Sequence, residues 1–387
     1  MIFTDLRFLL LFAGCWLSFA MVPPARRTIV LAMWGTGFYA IYAGPSVVFV
    51  VALVVAAAFS YRRAVAWLTG TAVCGLLVYF KIAENPYLVA QMGMSDAARW
   101  IAPLGFSYLS FELLHVVIER RRGRIASLSI VDLLAYAFFL PCRIAGPIRR
   151  FPDFMTAVTQ AEVSADNVYA GVVRILIGLA KKLVLADTLA LTGAELAYVS
   201  GPAHAWTIVL AYTFRIYFDF SAYSDLAIGF SRLLGIAVPE NFSYPYLAVN
   251  IREFWNRWHM TLSHWVRDYI FVPTGRTLFG TILRPWPVLI ATISYLVTFL
   301  AVGAWHGLTG AFLAWGAYHG LLLSAHHVIR AKIPPSIADH AWYRSRLASA
   351  LSAGVTFVLV AVGWVLFMTD LATARRLLVL MFGGGGS

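Results

Sequence analysis

Residues 286–330 read W-P-V-L-I-A-T-I-S-Y-L-V-T-F-L-A-V-G-A-W-H-G-L-T-G-A-F-L-A-W-G-A-Y-H-G-L-L-L-S-A-H-H-V-I-R. Two apolar runs lie here, 286–304 and 308–330. Each reaches about the 20 residues that a helix needs to cross a bilayer. Between them stands His306, flanked by Trp305 and Gly307 in an otherwise apolar helix. An ionisable side chain inside such a run is costly and marks a functional position by default. Gly303, Gly307 and Gly310 strip side chains from its surroundings, which permits close helix packing or the approach of a thin substrate chain. Spacing alone leaves His306 equally a packing histidine and a catalytic base. His319, His326 and His327, further along, read as packing or interfacial residues.

The same pattern fills the chain. Comparable runs fall at about 6–23, 28–45, 46–61, 64–80, 101–118, 129–146, 168–186, 203–230 and 347–368. Of the 387 residues, 61% are hydrophobic and 12% charged, half the charged share of a soluble domain. Mean hydropathy is +0.77. This excludes an ordinary cytoplasmic enzyme, a nucleic-acid-binding domain and a disordered protein. The expected fold class is all-α: a polytopic integral membrane protein of roughly 10–11 tilted, short or re-entrant helices. No composition break marks a second domain. We expect one membrane domain over 1–383, with N-terminal spans in 1–100 and a motif-bearing core in 101–383. Residues 384–387 read as a flexible appended linker.

The net charge of +12 comes from 30 Lys and Arg against 18 Asp and Glu. The basic residues sit in short clusters between apolar runs, as orientation signals and contacts to anionic headgroups do. No nucleic-acid partner is expected. Arg26-Arg27, Arg62-Arg63 and Arg120–Arg124 alternate along the runs, which puts them on the cytoplasmic side and the N-terminus outside. Residues 1–22 read as a first span rather than a signal peptide, because no small-residue cleavage pattern follows. Lys181-Lys182, Arg149-Arg150 and Arg257 with Arg267 are not placed by this count. Cys15, Cys74 and Cys142 lie far apart in apolar stretches and read as small buried hydrophobes.

A second polar concentration runs from Tyr217 to Asp268. Asp219 and Asp225 are six residues apart, with Ser221 and Ser224 between them. On a helix they fall on different faces, so they read as a polar knot between helices ahead of a carboxylate pair. The segment from Glu253 to Asp268 mixes charge with Trp255, Trp258 and Trp265 and suits an interfacial or re-entrant helix. His259 and His264 are five apart, which does not suit a zinc helix, and no metal is expected. The G-x-S-x-G elbow and the two glycine-rich nucleotide loops are missing from the sequence.

At these regions the chain resembles the membrane-bound O-acyltransferase family, in its bacterial branch of alginate O-acetylation and teichoic-acid D-alanylation membrane proteins. The motifs are P-L-G-F-S-Y-L-S-F-E (103–112), F-F-L-P-C-R-I-A-G-P-I-R-R-F (138–151), G-L-A-K-K-L-V-L-A-D (178–187) and D-F-S-A-Y-S-D-L-A-I-G (219–229). They continue with N-F-S-Y-P-Y-L-A-V-N-I-R-E-F-W-N-R-W-H-M-T-L-S-H-W-V-R-D-Y (241–269) and W-H-G (305–307).

The resemblance implies a ring of tilted helices around a thin central layer, with funnels from both sides meeting near the histidine. It implies catalytic roles for His306 and His259. Asn256, Arg257, Trp305, Trp255, Asp219, Ser221 and Asp225 join them as substrate-contacting candidates. The implied activity moves an acyl group, acetyl or D-alanyl, from a cytoplasmic thioester to a hydroxyl of a cell-surface polysaccharide or of an extracytoplasmic partner protein. The donor is an acyl-CoA or an acyl-carrier-protein thioester, no cofactor stays bound, and the location is the bacterial inner membrane. A transporter or flippase for an activated group, or a scaffold for a secreted acyltransferase, stands as the alternative.

Overall fold

The computed structural model describes residues 2–93, 102–334 and 345–384. Every regular element among them is helical, as the apolar runs predict. Among the described residues, three helices are long and apolar enough to cross a membrane: Arg63–Ala83, Pro287–His306 and Arg346–Met368. The other runs form shorter, broken or charge-bearing helices. The chain divides into two compact units, Met1–Lys181 with Ser221–Glu240, and Lys182–Phe220 with Asn241–Ser387.

In the first unit, the Leu6–Met21 helix buries Phe8, Phe12, Cys15 and Phe19, spaced as one face of an α-helix. Phe8 and Phe12 pack edge-on against Phe230, with ring centroids 5.1 and 4.7 Å away. Cys15 and Cys142 are buried as expected, but Cys74 is exposed. The Arg63–Ala83 helix buries Ala66, Thr69, Val73 and Phe80, and position 74 falls beside that stripe.

The apolar run at 129–146 does not form one span. Its helix stops after Ile130–Ala137, a single 3-10 turn follows at Leu140–Cys142, and irregular backbone continues to Arg150. Pro141, Gly146 and Pro147 explain the break. Irregular backbone in a buried setting needs internal partners. The Tyr136 hydroxyl donates to the Arg149 carbonyl at 2.6 Å, and the Arg149 guanidinium donates to the Tyr136 carbonyl at 2.8 Å. Arg143 donates to the carbonyl of Ala137. Both arginines also reach Glu112, at 3.2 Å from Arg143 and 2.7 Å from Arg149. All three side chains are buried, so Arg149 belongs to an internal ion cluster and carries no orientation signal.

The Ala165–Ala180 helix crosses the later part of the Gly201–Leu233 helix at glycines. A Cβ on Gly171 would stand 2.9 Å from the Gly229 carbonyl, and one on Gly178 would stand 3.2 Å from the Asp225 Cβ. The crossing brings Arg174 to 2.6 Å and Lys181 to 2.7 Å from the buried Asp225 carboxylate.

In the second unit, the Pro287–His306 and Gly310–Lys332 helices form a tight hairpin. A Cβ on Gly303 would collide with the Phe312 carbonyl, and one on Gly316 with the Phe299 carbonyl. Small residues at these positions let the two backbones touch, the usual means of fixing a helix pair in lipid. The stretch around Glu253 to Asp268 is not one helix. It forms Ile251–Arg257 and Met260–Val266, each about 10 Å long and too short to span. A π-helical segment, Arg267–Phe271, follows.

Candidate functional site

The hairpin decides where His306 goes. It is the last residue of its helix, and Gly307 leaves the helix with extended backbone. Thr309 then caps the next helix by accepting the Phe312 N–H at 3.3 Å. The half-buried His306 ring therefore lies at a helix end among aromatic rings. Its centroid is 4.5 Å from Trp305, 4.8 Å from Phe367, 5.5 Å from Trp315 and 6.0 Å from Phe312. Phe367 and Trp315 meet it edge-on, which fixes the plane of the imidazole.

His259 occupies the break between the two short helices. Its backbone is left-handed, φ 42°, one of two non-glycine residues so placed among the described residues; the other is Tyr244. Such backbone costs a residue with a Cβ about 1–2 kcal/mol and persists only where neighbours over-determine it. Asn241 supplies that constraint. Its carbonyl accepts the Met260 N–H at 2.9 Å, and its side-chain oxygen accepts the Thr261 hydroxyl at 2.7 Å. The Ser243 N–H donates to the Arg257 carbonyl at 3.0 Å on the other side of the break. The buried His259 ring packs edge-on to Phe220 at 4.6 Å and lies 6.4 Å from Trp305. One indole thus stands beside both imidazoles.

The other sequence candidates separate. Trp255 is buried against Phe299, Trp315 and His319, with centroids 4.8, 5.8 and 5.2 Å away. His319 is fully buried among these rings. Asn256 is exposed toward a cavity of about 260 Å³. Arg257 is not on that lining; it pairs with Glu253 at 2.5 Å. Asp219 pairs with Lys182 at 2.8 Å in the second unit. Ser221 and Asp225 are buried in the first unit, where Asp225 joins Arg174 and Lys181.

Beyond Asn256, the cavity is edged by Arg252, Arg267, His264 and Tyr295 and walled by apolar side chains that include Trp255 and Val302. Its lining does not include His306 or His259, but it reaches Val302, one helical turn before His306. Sequence reasoning overlooked Arg252. A signal existed: Arg252 precedes Asn256 by four residues and shares its helix face. Among the described residues, no three His, Cys, Asp or Glu side chains converge as a metal site would require.

Membrane-length helices and a glycine-fitted hairpin define an integral membrane protein, one that gathers two histidines beside a single indole. Comparison with known proteins gives the class its name. The model of the membrane-bound O-acyltransferase family matches residues 55–362, and the chain belongs to that family. It is similar to a probable alginate O-acetylase AlgI of Pseudomonas aeruginosa, 32% identical across 100% of this chain and 75% of the relative. A teichoic acid D-alanyltransferase of Bacillus subtilis is 30% identical over 77% of this chain and 76% of its own length. A peptidoglycan O-acetyltransferase of Helicobacter pylori is 32% identical over 66% of this chain and 47% of its own. The chain is an O-acyltransferase of the membrane.

Proposed function

We propose that the protein moves an acetyl or D-alanyl group from a cytoplasmic thioester, on coenzyme A or a carrier protein, to a hydroxyl beyond the bacterial inner membrane. The acceptor is a cell-surface polysaccharide or a partner protein. Relatives named for alginate, teichoic acid and peptidoglycan support a polymer acceptor. The observation that carries the reading is the ring arrangement at the hairpin end: two imidazoles on one indole, with Val302 one turn away on the wall of an arginine-edged cavity.

An alcohol is a weak nucleophile at neutral pH. His306 takes the hydroxyl proton as the alcohol oxygen bonds to the thioester carbonyl carbon. The carbon–sulfur bond then breaks, and the departing thiolate takes up that proton to leave as thiol. Such general-base assistance is worth about 10²–10⁴-fold. His259, held rigidly by Asn241, orients the reacting group or the carbonyl. Arg252 and Arg267 meet the phosphate of the donor, since guanidinium groups bind phosphate by paired hydrogen bonds. The basic clusters Arg62-Arg63 and Arg120–Arg124 face the cytoplasm, which leaves the N-terminus outside.

The test is acyl transfer by the purified protein in vesicles, followed by release of free thiol from an acetyl or D-alanyl thioester. Thiol release that depends on a polysaccharide hydroxyl acceptor supports the enzyme. Movement of the thioester across the vesicle with no bond broken would identify a transporter instead.

A further inference from the structure

A groove of about 570 Å³ lies between the Arg63–Ala83 and Phe106–Arg121 helices of the first unit. Arg63 is the first residue of one helix and Arg121 the last of the other, and both line the groove with Arg122. The helices therefore run antiparallel, with three guanidinium groups gathered at one end. From Arg63 the lining extends along the helix to Cys74, about 16 Å on. Over that length the walls are mostly apolar, with Ala66, Trp67, Leu114, Val117 and Ile118, and the Thr71 hydroxyl donates to the Trp67 carbonyl of its own helix.

The charges are unevenly used. Arg122 is held by Glu119 at 2.9 Å, and Arg120 donates to the carbonyls of Ala58 and Ile125. Arg63 and Arg121 are exposed and enter no ion pair among the described residues. The Arg63–Ala83 helix also begins without a side-chain cap. Its first N–H groups add to the positive end, as helix N-termini do. A cationic rim over a trench about three turns deep suits an amphiphile with an anionic head and a hydrocarbon tail. A soluble anion would use the rim and leave the trench bare. Trp67, 66% exposed, places hydrocarbon-seeking surface on the trench wall.

We propose that this groove binds an anionic glycerophospholipid of the surrounding bilayer. Its phosphate sits by Arg63, Arg121 and the first turn of the helix, and one acyl chain lies along Trp67, Val117 and Leu114. Gly70 keeps the trench open. A Cβ there would meet only the Val117 Cγ1, at 4.0 Å, so a larger side chain at this position projects into free space.

The experiment reconstitutes the full chain in vesicles of equal phosphatidylglycerol and phosphatidylcholine, extracts it in detergent, and counts retained lipid by native mass spectrometry. Wild type retains phosphatidylglycerol in preference to phosphatidylcholine. Arg63→Gln with Arg121→Gln lowers that retention about thirtyfold, the effect of two surface arginines on an anionic lipid. Gly70→Leu, which raises helix propensity and leaves every charge in place, abolishes retention by filling the trench. Equal retention of both lipids by wild type overturns the proposal. So does unchanged phosphatidylglycerol retention in both variants, or its displacement by soluble glycerol phosphate.

Discussion

Asn241 accepts the hydroxyl of Thr261 at 2.7 Å and its backbone N–H at 3.3 Å through the same side-chain oxygen. This pair clamps the first turn after His259 and holds that residue in left-handed backbone. Asn241 and His259 are buried, so no water replaces a lost bond cheaply. Asn241→Ala is expected to destabilise the protein by about 1–3 kcal/mol and to lower acyl transfer. Thr261→Val removes the hydroxyl and keeps the N–H bond to the same oxygen, and is expected to lose less. Thermal unfolding in detergent, run beside a transfer assay, checks both; equal behaviour of the two variants would show that the oxygen is not the clamp.

The backbone at His259 gives an ordering of variants. Glycine adopts a φ of 42° without the steric penalty that a Cβ brings. His259→Gly is therefore expected to unfold at higher temperature than His259→Ala, by the equivalent of about 1 kcal/mol, while both lose transfer. An alanine variant at least as stable as the glycine one would contradict the strain.

Close approach of the hairpin helices predicts a contrast between two glycines. Gly303→Ala drives a methyl group into the Phe312 carbonyl, whereas a Cβ on Gly37 meets nothing within 4 Å. The first substitution is expected to cost about 1–3 kcal/mol and to shift His306, three residues further along the same helix. The second is expected to be neutral or stabilising by up to about 1 kcal/mol. Paired melting curves decide the matter.

Glu112 holds two buried arginines at once. Glu112→Gln leaves Arg143 and Arg149 in the core without a countercharge. Breaking such a cluster costs about 3–5 kcal/mol. The expected outcome is poor accumulation of folded protein, read by size-exclusion chromatography after extraction.

The cavity beside the hairpin separates three arginines. Arg252→Gln and Arg267→Gln are expected to raise KM for the thioester donor, because both line the cavity. Arg257→Gln is expected to act weakly, since Arg257 pairs with Glu253 away from that lining. Donor titrations at saturating acceptor distinguish them, and a larger KM effect at position 257 would reverse the assignment.

Much of this was readable before any coordinates. Apolar runs near bilayer length translate directly into the Pro287–His306 and Arg346–Met368 helices, because hydrogen-bonded helix is what such runs form in lipid. The ionisable His306 stood out against its apolar run for the same reason. Other features depended on residues far apart in the chain. Arg149 looked like another basic residue near a span end, and only its pairing with Glu112, 37 positions earlier, explains its burial. The left-handed turn at His259 was hidden because its constraint comes from Asn241. Arg257 drew attention by standing beside His259, yet helix geometry turns Arg252 and Asn256 to the cavity.

The central claim concerns the imidazole at the hairpin end. The most direct measurement is acceptor-dependent thiol release by His306→Ala, with wild type and the variant reconstituted at matched amounts of folded protein. We expect loss of about 10²–10⁴-fold in the transfer rate with the melting temperature kept. Transfer at the wild-type rate by the folded variant would contradict the account.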